Sequence, residues 1–283
     1  MYDIIIIGAG PAGISASIYA KRAGSNVLVL YHGESSLEKA VKIDNYYGFE
    51  EGISGKDLYE AGIKQAINLG IEVKNKEVLD IKKSTENGYI VETEDEKYEA
   101  KAIVLSTGNK KIKPSIPGIE EFEGKGISYC AICDGFFYRG KSVCVIGNGK
   151  YAISEAKDLE SIAGKLTILT NGLEIPDTTF DVIDKKILRI EGDTKVRKVI
   201  FEDESFLDVD GIFIAEGTAG ASDFAKKLGV LIEKDSIVVN EKMETNVKGI
   251  YSCGNANGGL LQVNKAVYEG AVAGLEAVKY IKE

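Results

Sequence analysis

"YDIIIIGAGPAGISASIYAKRAGSNVLVLY", residues 2–31, decides the fold. A short, wholly apolar run leads into glycines at 8, 10 and 13, then into apolar residues at helical spacing, a stop at Gly24 and a second apolar run. Strand, tight turn, helix and strand make the βαβ unit with which a doubly wound parallel sheet begins. In such a turn the first glycine permits the bend, the second lets backbone approach a pyrophosphate, and the third lets helix pack on strand while the helix N-terminus faces the negative charge. Gly8, Ala9, Gly10, Pro11, Ala12 and Gly13 are therefore expected to cradle a dinucleotide. The acid for a ribose hydroxyl belongs at the end of the second strand, where Tyr31-His32-Gly33-Glu34 offers Glu34, slightly late.

Moving outward, "KDLYEAGIKQAINLGIEV" (56–73) adds a helix and a strand, and "GYIVETEDEKYEAKAIVLSTG" (88–108) alternates like a small antiparallel layer before an apolar strand that closes at Gly108. "KKIKPSIPGI" (110–119) holds two of the four prolines and reads as a crossing between domains. "KSVCVIGNGKYAISEAKDLESIAGKLTILT" (141–170) then repeats the opening order. A second crossing is placed near "VVNEKMETNVKG" (238–249), after which a strand, a glycine-rich loop and a long helix end the chain without a sheet of their own. The expectation is an α/β protein of two Rossmann-like three-layer nucleotide-binding domains, the second inserted into the first: 1–112 with 243–283, and 113–242. A length of 283 residues suits two domains.

The second glycine turn, "VIGNGKYA" (145–152), poses a question of its own. Gly147, Gly149 and Ala152 have dinucleotide spacing, but the strand that follows ends "LTILTNG", and no arginine lies between Arg139 and Arg189 to hold a 2′-phosphate. Tyr151 is expected to put bulk where a pyrophosphate would approach. Small residues are needed for strand-to-helix packing whether or not a ligand binds, so this turn reads as a scaffold that has lost its nicotinamide. A working nicotinamide site is the alternative.

Cys130 and Cys133 in "YCAICDG" stand two residues apart, a spacing that closes redox disulfides. Asp134 follows directly and could carry the proton that thiol chemistry requires, or serve only as a turn residue. Cys144 and Cys253 lie in apolar runs, as small buried hydrophobes do. No metal is expected, because a metal at the close pair needs two further ligands, and the single histidine, His32, excludes His-rich sites and triads needing a second imidazole. A net charge of −9 argues against nucleic acid. With 44% hydrophobic and 28% charged residues, no membrane-length apolar run and no signal-peptide pattern, the expected address is the cytoplasm.

The glycine turn at 8–13, "STG" at 106–108, "YCAICDG" and the returning "GIYSCGNANGGLLQV" together resemble the low-molecular-weight thioredoxin reductases, in order and over nearly the whole chain. The resemblance implies FAD held by Gly8 to Gly13, Asn45, Thr107, Gly108, Gly254, Asn255, Gln262 and Val263. It also implies that Cys133 faces the flavin and initiates disulfide interchange, with Cys130 its partner and Asp134 the proton donor. Where nicotinamide-dependent members carry a basic "HRRxxxR" stretch this chain has "LTNGLEIP", their arginine before the flavin-contacting Gln is Leu261, and Asn255 replaces the usual Asp. The ferredoxin-dependent flavin thioredoxin reductases look closest. That implies reduced ferredoxin as donor, thioredoxin as acceptor and a homodimer. Two basic clusters are candidates for meeting an acidic ferredoxin: Lys110, Lys111 and Lys113, and Lys185, Lys186 and Arg189. Two other readings stay open, a nicotinamide-dependent thioredoxin reductase with unusual recognition and a flavin-holding interaction module without turnover.

Overall fold

The structure is a computed structural model that describes residues 1–84, 88–108 and 114–283. Two compact units divide the chain: residues 1–110 with 220–283, and residues 111–219 between them. The Lys110/Lys111/Lys113 cluster lies outside the described residues.

In the first unit β1 (Tyr2–Ile7), α1 (Pro11–Arg22), β2 (Val27–Tyr31), α2 (Gly55–Asn68) and β3 (Glu72–Asn75) alternate, followed by β4 (Val78–Ser84), β5 (Gly88–Thr93) and β6 (Lys97–Leu105). β1 is central, parallel to β2 (Ile4↔Val27) on one side and to β6 (Ile4↔Ala102) on the other. Ile4, Ile5 and Ile6 are each 0% exposed, the reason their strand is apolar without alternation. β4, β5 and β6 pair antiparallel, as their alternating sequence requires, but they extend the same sheet rather than forming a separate layer.

The second unit runs α3 (Ile119–Phe122), β7 (Ile127–Ser128), α4 (Ala131–Asp134), a 3₁₀ turn (Gly135–Tyr138), β8 (Ser142–Ile146), α5 (Lys150–Glu160), β9 (Lys165–Leu169), β10 (Asp181–Ile183), β11 (Ile187–Gly192), β12 (Val196–Phe201), β13 (Phe206–Asp208) and β14 (Gly211–Ile214). Its parallel sheet has the order β10-β9-β8-β14-β7, while β11, β12 and β13 form a small antiparallel sheet.

The chain rejoins the first unit at Gly220, not at 243 as the sequence reading placed it. The reason lies in α6 (Ala221–Lys227): Ala221 N donates to Thr107 Oγ1 (2.6 Å), Lys227 and Asp80 of β4 form a buried ion pair (3.8 Å), and Phe224 is 1% exposed. After β15 (Ile232–Glu233) and β16 (Ser236–Ile237), β17 (Ile250–Ser252) adds to β6 in parallel, and α7 (Val263–Lys282) packs on α1. The two helices meet backbone to backbone, since a Cβ at Gly270 would lie 2.1 Å from Ala12 O and one at Gly274 would lie 2.4 Å from Ala16 O. Among the described residues no helix is long and apolar enough to cross a membrane.

Candidate active site

At the first glycine turn the three glycines divide the work. Gly8, at φ +112°, would place a Cβ 2.5 Å from Ser106 O, and Gly13 would place one 1.9 Å from Gly8 O, so both are demanded by the protein's own backbone. A Cβ on Gly10 would meet nothing within 4 Å. That open side lies at the start of α1, which has Pro11 at its first turn, no side-chain cap and no acid. Its unbonded N–H groups and positive dipole end suit an anion.

Distant parts of the chain gather around this turn. Gly254 brings a would-be Cβ within 2.8 Å of Ala12 Cβ. Its N–H donates to Glu269 Oε2 (2.8 Å), and Lys265 Nζ reaches both Gly254 O and Glu269 (3.0 Å each). Asn45 Nδ2 donates to Gln262 Oε1 (3.0 Å) across 217 positions, next to Val263 at the start of α7. Thr107 spends its hydroxyl on α6, Gly108 has φ +77° with open space beside it, and Asn255 is half-buried. Glu34 is exposed and lies beyond the end of β2; the acid with a defined task there is Glu38, which closes a capping box with Ser35.

In the second unit Cys130 and Cys133 are joined as a disulfide. Cys130 is 3% exposed and caps α4, its Sγ accepting from Cys133 N (3.2 Å), whereas Cys133 is exposed. Two buried side chains that sequence reasoning passed over grip this turn. Ser128 Oγ accepts from Cys130 N (3.1 Å) and donates to Asp134 Oδ2 (2.6 Å); Glu155 of α5, 1% exposed, accepts from Ala131 N (2.8 Å). Their only sequence signal is polar residues inside otherwise buried patterns. Cys144 and Cys253 are buried free thiols, and burial pushes both well above the ordinary thiol range. No group of three metal-capable side chains occurs among the described residues.

At the second glycine turn the outer positions are again fixed by the protein's own packing. A Cβ on Gly147 would lie 2.1 Å from Ala215 O, and Ala152 is fully buried, so both serve packing. Asn148 Nδ2 donates to Glu174 O (3.2 Å), tying the turn after β8 to the loop after β9. Asn171 Oδ1 accepts from Ile187 N (2.8 Å). At the end of β14 burial raises the Glu216 carboxyl above its usual range. Tyr151 does not fill the pyrophosphate approach as the sequence reading had it; it is 3% exposed, packed in the core with Ala131, Val143 and Leu159. In the cluster of Lys185, Lys186 and Arg189, Lys185 pairs with Asp203 (2.6 Å) and Arg189 with Glu191 (2.7 Å).

Two sheets with glycine turns and a disulfide on a short helical turn define a disulfide oxidoreductase of the nucleotide-binding type. The model of the pyridine nucleotide-disulphide oxidoreductase family matches residues 2–270, and the chain belongs to that family. It is 34% identical to a thioredoxin reductase of Listeria innocua, over 100% of this chain and 95% of that protein. Among solved structures it is similar to the atypical thioredoxin reductase TRi of Desulfovibrio vulgaris Hildenborough (37% identity, TM-score 0.93, covering 100% of this chain and 98% of the other). It is also similar to a ferredoxin-flavin thioredoxin reductase of Clostridium acetobutylicum (35%, TM-score 0.70, 98% and 97%). Within its family the chain is a homologue of the low-molecular-weight thioredoxin reductases, a thioredoxin reductase-like flavoprotein with a Cys-pair disulfide.

Proposed function

We propose that this protein reduces thioredoxin with electrons from reduced ferredoxin, through FAD and the Cys130/Cys133 disulfide. The residues fit FAD: Gly10 leaves the start of α1 open, and the Asn45/Gln262 pair and the Gly254 turn converge on the same unit. Bound FAD supplies the step between a one-electron donor and a two-electron disulfide. Gly8 to Gly13 hold its pyrophosphate, Gly108, Gly254, Asn255, Gln262 and Val263 orient it, and Thr107 contributes through backbone because its hydroxyl is committed. Glu34, exposed past β2, takes the ribose role only if its loop closes on the ligand. Cys133, the exposed sulfur, meets the incoming partner, Cys130 resolves the mixed disulfide, and Asp134 supplies a proton.

The observation that carries the choice of donor is the Asn148–Glu174 tie, together with the absence of an arginine fork at the end of β9. The energetics agree. From a plant-type ferredoxin near −400 mV to a thioredoxin near −270 mV, the drop of about 130 mV is worth about 6 kcal/mol for two electrons. One feature favours the nicotinamide-dependent alternative: a Cβ on Gly149 would meet only Gly217 O, at 3.4 Å, so packing does not demand a glycine there. Self-association as a homodimer is supported by exposed Leu260, Leu261, Tyr268 and Leu275, and both redox partners place the protein in the cytoplasm. Stopped-flow mixing of oxidised protein with reduced ferredoxin, NADPH and NADH tests the reading. Rapid flavin bleaching by ferredoxin alone is expected, and bleaching by a nicotinamide at catalytic speed overturns it.

A further inference from the structure

Around the disulfide the hydrogen bonds close a ring. Cys130 N donates to Ser128 Oγ, Ser128 Oγ donates to Asp134 Oδ2, and Asp134 N donates back to Cys130 O (3.2 Å). Ser128 is 6% exposed and belongs to β7, where it pairs with Phe213 of β14, so its hydroxyl is fixed by the sheet rather than by the loop. Asp134 lines an open groove of about 920 Å³, together with Ser128, Phe137 and Tyr138. Burial, and after it the charge of Asp134, pushes the Tyr138 phenol up. A half-exposed carboxyl on a four-residue helical turn has several rotamers; one bond from a sheet-mounted hydroxyl selects among them.

We propose that Ser128 is a positioning residue that fixes the orientation of the Asp134 carboxyl on the disulfide turn, so that a thiol leaving group receives its proton as the bond to it breaks. The inference rests on the reading of Asp134 as the acid of a disulfide reductase. In the step it serves, the Cys133 thiolate attacks one sulfur of the substrate disulfide; the substrate S–S bond breaks, and the departing thiolate takes the Asp134 proton. Cys130 then attacks Cys133 in the mixed disulfide, returning its own thiol proton to Asp134 and expelling the second substrate thiolate, which is protonated from solvent. Two electrons leave the dithiol, and the substrate disulfide gains them. An aliphatic thiolate is a poor leaving group and needs that proton, whereas an aromatic thiolate of low pKa does not.

The test uses the whole protein, reduced with dithiothreitol, freed of reductant and mixed in single turnover with two disulfides, bis(2-hydroxyethyl) disulfide and dithiobis(nitrobenzoate). S128A is expected to slow the aliphatic reaction about tenfold or more while leaving the aromatic one within about twofold. D134N is expected to show the same selectivity, and the double variant to be no slower than D134N alone. If S128A slows both reactions equally, or neither, while D134N remains selective, Ser128 has no positioning role. If D134N itself is not selective, the reading of Asp134 as the acid falls and takes this inference with it. Should S128A fail to fold, S128T, which keeps the hydroxyl, is read instead: selectivity like that of the unmodified protein supports the role, and D134N-like rates overturn it.

Discussion

Substituting Gly10 by alanine separates folding from cofactor binding. The Cβ meets no protein atom within 4 Å, and the backbone at φ −69°, ψ −179° is one that alanine adopts without strain. Replacing glycine at such a position narrows the unfolded ensemble and stabilises the apoprotein by about 0.4–1 kcal/mol, a rise in Tm of about 1–4 °C for a unit of this size. The same methyl stands where a pyrophosphate must come against the start of α1. Lost contact with two or three charge-assisted N–H donors, at about 1.5 kcal/mol each, then weakens FAD by at least about a hundredfold. Gly13→Ala is the control. Its Cβ falls 1.9 Å from Gly8 O, forces backbone apart, and costs about 1–3 kcal/mol with or without ligand. Apoprotein Tm by circular dichroism and FAD affinity by fluorescence titration distinguish the two. Gly10→Ala protein that binds FAD as tightly as the parent refutes the assignment of the open side to the cofactor.

Removing one partner of the buried Asp80/Lys227 pair, as in K227M, is expected to cost about 3–5 kcal/mol, and the double change D80N/K227M less, by denaturant titration. Glu155→Gln keeps an acceptor for Ala131 N and should change stability little, whereas Glu155→Ala leaves that buried N–H unmade and costs about 1–3 kcal/mol; equal losses would show that charge, not the hydrogen bond, matters. Cys144 and Cys253 are expected to resist alkylation in the folded, reduced protein and to react only after unfolding, while Cys133 reacts first, as mass spectrometry of a labelling time course will show. Asp3, Glu72 and Glu92 are held low by hydrogen bonds from Lys101, Tyr2 and Lys97 respectively. Their folded pKa values lie below the unfolded ones, so their stabilisation is complete above the unfolded pKa, near neutral pH, and is lost as pH falls through the depressed values; the loss in acid should be shallower in D3N.

The β1–α1–β2 unit was legible because its strand is buried on both faces and its turn leaves no choice of residue at positions 8 and 13. The disulfide pair was legible from spacing alone. What escaped detection depends on contacts between remote positions. The return at Gly220 is set by α6 bonding Thr107 and Asp80, neither of which marks residues 220–242 as part of the first unit when read along the chain. Glu155 acts 24 positions from Ala131, and Ser128 reaches past the cysteines to Asp134. Tyr151 was within reach: with Ala152, Glu155, Ala156 and Leu159 it falls on the buried stripe of α5, so helical periodicity already pointed it inward. In the expected basic cluster at Lys185, Lys186 and Arg189, the acid beside Lys185 is Asp203, from the turn after β12, which is remote in sequence, whereas Glu191 stands two residues from Arg189 on β11 and was legible along the chain.

The helix pair in which Gly270 and Gly274 lie against Ala12 and Ala16 has a consequence for biosynthesis. The opening segment cannot finish its packing until the final helix has left the ribosome, tens of seconds later at ordinary translation speed, by which time the enclosed unit has all of its own strands. The inserted unit is therefore complete before the unit it interrupts, and truncating the last twenty residues should leave residues 111–219 well formed beside an incompletely packed first unit.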